Sequence, residues 1–183
     1  IVNAMGEYQA MLDLIRDGDV NRTRAECPDD LEERAHHIKS FGYFSDASLV
    51  GICRLPRSAL LDHSVQNPGI DDLAHMLRTK QTKTLASGID MIMASLRESI
   101  DAPPASVADH THAVVFAYEY PRDPARDEPG YDWIAEAQAH RAALRANETA
   151  CVIGNYIRLL GFDAVSHSAT ASDVNLNVLA CAA

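Results

Sequence analysis

The sequence has no Cys-x-x-Cys pair, no run of basic residues and no uninterrupted apolar stretch approaching 18 residues. Each absence excludes something. The four cysteines, Cys27, Cys53, Cys151 and Cys181, lie far apart, and no histidine is near enough in sequence to complete a finger-like zinc site. They read as small buried hydrophobes of a reduced protein. Without a long apolar run, nothing spans a membrane as a helix. Lys+Arg number 16 against 26 Asp+Glu, a formal net charge of −10, so nucleic acid and anionic membrane surfaces are excluded as partners. Glycine-rich phosphate loops and a G-x-S-x-G elbow are also missing, which removes the common nucleotide and hydrolase signatures. The start of the chain shows neither an apolar export segment nor a twin-arginine pair, from which a cytoplasmic location is expected. Ile1 to Ala4 precede Met5, and "VNLNVLACAA" stops while still apolar. Both ends are therefore expected to be cuts in a longer chain.

What is present is an ordinary globular composition: 183 residues, 47% hydrophobic and 23% charged, with 9 Gly and 8 Pro. Periodicity predicts a helix over 7–17, with Tyr8, Met11, Leu12 and Ile15 on its apolar face and Gly18 as its stop. A second helix runs from Pro28 to about Phe41. Its stripe is Leu31, Ala35, Ile38 and Phe41, its first turn is acidic and its C-cap is Gly42. "ASLVGICRL", 47–55, reads as a buried strand. Residues 57–83 read as peripheral, with a weak helical patch over 70–77.

A better helix is expected over 85–100, ended by Pro103 and Pro104. "HAVVFAYEY", 112–120, reads as the central strand of a sheet covered on both faces. After a proline-rich loop, a long helix over 131–160 packs Trp133, Ala137, Leu144, Ala150, Ile153, Tyr156, Ile157 and Leu160 and ends at Gly161. A short strand, 162–169, and a helix over 174–183 capped by Asp173 complete the chain. Strands separated by helices predict an α/β (α+β) layered sandwich, a mixed sheet flanked by helices. Residues 1–27 form an N-terminal helical extension and 28–183 the domain.

Chemistry is sparse. His110 and His112 share one face of a strand, as two metal ligands would, but no third ligand is near in sequence. The plainer reading is a polar lead into the strand, and no metal site is expected. Tyr118, Tyr120, Tyr131 and Trp133 gather with Arg122 and Arg126 around the loop leaving the best strand, where ligands often bind in layered folds. They either stack on a planar cofactor or anchor the loop to its own core. Tyr156 and Arg158 stand near the end of the long helix. The hydroxyl could donate a proton beside a cation that lowers its pKa; alternatively Tyr156 packs and Arg158 pairs with a surface acid.

In order along the chain, "LEERAHHIKSFGYFSDASLVGICRLP", "HAVVFAYEYPRD" and "PGYDWIAEAQAHRAALRANETACVIGNYIRLLGFDAVSHSATASDVNLNVLACAA" resemble the corrinoid-binding region of cobalamin-dependent reductive dehalogenases. Epoxyqueuosine reductases are more distantly similar. The resemblance implies a nitroreductase-like fold, and a base-off cobalamin over which a small organohalide loses halide. It implies a tyrosine proton donor with a basic side chain nearby, roles that fall on Tyr156 and Arg158.

The family's two [4Fe-4S] clusters sit in cysteine runs that this sequence does not contain, so they imply a downstream cluster-bearing domain or a redox partner protein. The chain then belongs to an oxidoreductase without being active alone. The alternatives are a vestigial, non-catalytic structural or docking copy of the corrinoid domain, and a flavin nitroreductase-like enzyme.

Overall fold

The computed structural model describes residues 2–79 and 106–183. In chain order the elements are α1 (Val2–Leu14), α2 (Leu31–Phe44), β1 (Leu49–Arg54), a 3-10 turn (Arg57–Ala59), β2 (Leu60–Val65), α3 (Gly69–Thr79) and β3 (His112–Ala117). They continue with α4 (Tyr131–Ile134), α5 (Ala137–Leu159), β4 (Ser172–Val174) and α6 (Leu176–Ala182). The helix expected over 85–100 lies outside the described residues.

The α+β class expected from the sequence is what forms. Among the described residues, however, the strands sort into two small antiparallel sheets. In one, β1 and β3 pair without a break from Leu49 opposite Ala117 to Arg54 opposite His112. In the other, β2 and β4 pair with a register shift between Leu60 and Val65. β3 is thus not the centre of a wide sheet: β1 is its only strand neighbour here, and its side chains are half-buried or exposed. The apolar cluster forms where α6 covers the sheets. Ala59, Val174 and Leu179 are buried there, with Cys53, Leu55, Leu60, Val115 and Leu176 packed around them.

Local chemistry explains most helix ends. Asp30 caps α2 by accepting from the Glu32 amide at 2.9 Å, and Glu32 and Glu33 load the positive end of its dipole. Gly42 is not its C-cap. It lies inside the helix, where an added Cβ would stand 2.7 Å from Val50 Cγ2 and 2.9 Å from Phe116 Cε1. The glycine is there so that the helix can approach the β1–β3 sheet closely. Leu31, expected on the packed stripe, is instead exposed.

The long helix starts at Ala137, six residues later than the pattern suggests, because Glu136 takes a left-handed conformation (φ 64°). It closes at the expected glycine: the Gly161 amide donates to Arg158 O and the Phe162 amide to Ile157 O. That pair of bonds is the glycine-dependent Schellman arrangement, with Gly161 at φ 83°. Residues 162–168 carry no regular secondary structure. The last strand is β4, and Asn175, not Asp173, caps α6 by accepting from the Asn177 and Val178 amides.

Two differences lead to the interior. The stretch expected to be merely peripheral contains β2, whose Asp62 and His63 face outward and hide its strand character. α1 runs earlier than predicted and buries the opposite face. Tyr8 and Met11 are exposed, while Gln9, Ala10 and Asp13 are buried against the rest of the chain.

Candidate functional site

The interior face of α1 brings a carboxylate into the protein. Asp13 is 2% exposed, and a buried charge is tolerated only when hydrogen-bonded. Five side chains satisfy it. Gln9 Nε2 (3.2 Å), Asn147 Nδ2 (2.7 Å) and Ser168 Oγ (2.7 Å) donate to Oδ1. Asn67 Nδ2 (2.8 Å) and Thr170 Oγ1 (2.6 Å) donate to Oδ2. These donors come from α1, the β2–α3 loop, α5 and the approach to β4. The Cys151 thiol, pushed up to about 11 first by burial and then by the Asp13 charge, stays protonated and donates to Asn147 Oδ1 at 3.6 Å and Leu12 O at 3.4 Å.

One turn on, Arg16 pairs with Asp173 at 2.8 Å. Burial alone would raise the Asp173 carboxyl, but hydrogen bonds from Ser64 and Arg16 and the Arg16 charge outweigh it and hold it low. His167 lies against the same arginine, which donates to Nδ1 at 3.3 Å. Burial first, and then Arg16, push the imidazole down to about 4, so it is neutral. The sequence reading missed this network. Its only signal is polar pairs at helical spacing, Gln9 with Asp13 and Asn147 with Cys151, each placing two side chains on one face.

The two residues singled out for proton chemistry do not meet. Positions 156 and 158 of a helix point about 200° apart. Tyr156 faces α2, sharing a 2.9 Å hydrogen bond with His37 Nε2, stacking on that ring and meeting Phe41 edge-on. Arg158 turns inward, 3% exposed, and donates through Nη1 to Ala164 O at 2.7 Å and Arg16 O at 3.5 Å. Its Nε has no partner among the described residues. Burial lowers its pKa, opposed by Asp17. It ties two chain segments together and leaves the Tyr156 hydroxyl alone.

The aromatic set divides by exposure. Tyr118 donates its hydroxyl to Ser45 O at 2.7 Å and shares a short hydrogen bond with Thr149, under the Arg145 guanidinium. Tyr131 opens α4 half-buried, while Tyr120 (49%) and Trp133 (81%) project into solvent. Arg122 grips Glu128 through both terminal nitrogens at 2.6 Å, holding that carboxyl down at about 2. Beside Tyr118, a cleft of about 230 Å³ is lined by Ser45, Asp46, Arg145, Glu148, Thr149 and Val152. His110 approaches Asp163 at 3.3 Å and His112 turns to Thr111. Among the described residues no group of three His, Cys, Asp or Glu side chains is placed to hold a metal ion.

No family model matches the chain, and no curated protein does either. Solved structures do. The catabolic reductive dehalogenase NpRdhA, N-terminally tagged, superposes with a TM-score of 0.65 at 29% identity over 98% of this chain. The same enzyme in complex with 3-bromo-4-hydroxybenzoic acid gives 0.65 at 30% identity over 97%. The chain is related to the reductive dehalogenases. Another such structure, described as suggesting a mechanism for B12-dependent dehalogenation, matches at 0.65 and 29%. The chain spans only about a fifth of the length of these dehalogenases.

Cobalamin is the group this likeness brings forward for the four aromatics assigned to it. A drug-sized ligand needs a pocket of roughly 300–1,000 Å³, and a corrinoid is larger still. The cleft beside Tyr118 holds about 230 Å³, and none of the four aromatics is among the residues that line it. Among the described residues, no helix is long and apolar enough to cross a membrane.

Proposed function

We propose that this chain is one domain of a longer, cytoplasmic reductive dehalogenase-like oxidoreductase that uses cobalamin to remove halide from a small organohalide. Within that protein it is the non-catalytic, docking copy of the nitroreductase-like corrinoid domain. Cobalamin and the [4Fe-4S] clusters then reside in other domains or in a redox partner protein. The kinship supports the family part of this reading: a B12-dependent dehalogenase and an enzyme holding a brominated hydroxybenzoate are both similar over nearly the whole chain. The docking part is carried by one observation, the divergence of the candidate residues. Tyr156 engages His37, Arg158 is spent on backbone carbonyls, and among the described residues the two side chains do not converge.

The test is to mix the purified chain with hydroxocobalamin and with cob(II)alamin. The expected result is unshifted visible bands and no co-elution on gel filtration. Stoichiometric uptake with a band shift would overturn the docking reading and return Tyr118, Tyr120, Tyr131 and Trp133 to cofactor binding, with Tyr156 and Arg158 as catalytic candidates.

A further inference from the structure

Large apolar side chains are exposed at one end of the fold. α2 and α5 run antiparallel, as the contacts of His37 with Tyr156 and of Asp46 with Arg145 establish. The end of α2, the start of β1, the end of β3 and the start of α5 therefore share one end of the molecule. Tyr43 (50%), Phe44 (85%) and Leu49 (68%) are exposed there, as are Tyr120 (49%), three residues beyond the end of β3, and Trp133 (81%), four residues before α5. Trp133 is the chain's single tryptophan. Large aromatic rings in water are costly to leave uncovered, and tryptophan and tyrosine are enriched at the centres of interfaces. A fully buried ring covers about 150–250 Å², so the exposed parts of these rings and Leu49 supply much of the roughly 800 Å² that each side of a stable interface contributes.

Charge identifies what covers this end. Between Glu119 and Glu136 there are six acidic side chains against two arginines. Arg122 is already neutralised by Glu128, and Arg145 by Asp46. Setting aside the Arg122–Glu128 pair, five acidic side chains remain against Arg126, so this stretch is negative beside the apolar residues. A second copy would bring the same negative stretch, on a chain that already carries −10, so self-association here opposes like charges.

We propose that the Phe44–Leu49–Tyr120–Trp133 end is the docking surface of this domain. Its occupant is an apolar patch ringed by Lys and Arg on the remaining part of the longer dehalogenase-like protein. This rests on the docking reading above and names the face and the chemistry of the partner.

Hydroxyl-radical footprinting of the full-length protein that carries this chain tests it, with Tyr8, 63% exposed on α1, as internal reference. Normalised for intrinsic reactivity, Phe44, Tyr120 and Trp133 should oxidise at least fivefold more slowly than Tyr8. The double variant Asp127→Lys/Asp132→Lys, at two exposed positions, should raise Trp133 oxidation severalfold. Oxidation at the Tyr8 rate overturns the proposal. So does protection that the double variant leaves unchanged, or protection that arises from dimerisation of this chain alone in sedimentation. Corrinoid uptake is read separately by absorbance: a shielded Trp133 beside a shifted corrinoid band would uphold the surface while overturning the non-catalytic reading.

Discussion

A carboxylate at 2% exposure is tolerated only while its oxygens are hydrogen-bonded, and Asp13 accepts from five side chains. Asp13→Asn keeps the shape but points an amide at donors that have nowhere else to turn. Leaving buried donors unmatched costs about 1–3 kcal/mol each, and partial relaxation should hold the total to about 2–4 kcal/mol. Urea unfolding should show a lower midpoint at unchanged slope; a loss below about 1 kcal/mol would contradict the role given to the network.

His167 gives a pH signature. Its folded pKa of about 4 lies below the ordinary 6.5, so on acidification the unfolded chain takes up the proton first. The stability owed to the neutral ring is complete above pH 6.5 and is lost as the pH falls toward 4. The loss amounts to about 3 kcal/mol. Asp173, held below its ordinary value, contributes only at lower pH. His167→Asn retains an acceptor for the Asp173 amide and removes the titration. Unfolding free energies measured from pH 7 to 4 should therefore fall less steeply in the variant, and equal slopes would exclude this imidazole as the source.

Among the elements, α2 depends on a missing side chain. Gly42→Ala would drive a methyl into Val50 and Phe116, pushing the helix off β1 and β3 at a cost of about 1–3 kcal/mol. Val50→Ala removes the nearer obstacle. The double variant should then be less destabilised than the sum of the singles, and strict additivity in unfolding measurements would show that the close approach is not the cause.

The same element shows what could be read beforehand. The acidic start of α2, the strands around Ile52 and Val114 and the Gly161 stop were all legible, because local capping chemistry and apolar runs decide them. Gly42 was misread because a glycine near a helix end suits both a cap and a close approach. The break at Glu136 carries no sequence mark, since glutamate is a good helix former. β2 was hidden by Asp62 and His63 facing water.

For the whole molecule, the pattern of apolar and polar residues identified the class, and the ordered motifs identified the relatives. The site was less legible, because whether side chains converge depends on rotation about helix axes. Tyr156 and Arg158 are two positions apart in sequence and on opposite sides of α5. Gln9 and Asp13 were not singled out, because nothing local announces that Asp13 has partners up to 157 positions away.

That distance also has a consequence in time. Asp13 is joined to Asn147, Ser168 and Thr170 across 134, 155 and 157 positions, and contacts of such separation slow folding because long loops must close before they repay the ordering. At about 5–20 residues per second of synthesis, α1 waits on the order of ten seconds for residue 170 to follow it. For most of that interval only Gln9 and Asn67 of the five Asp13 donors have been made. The first helix therefore completes its polar network only after residue 170 has been made.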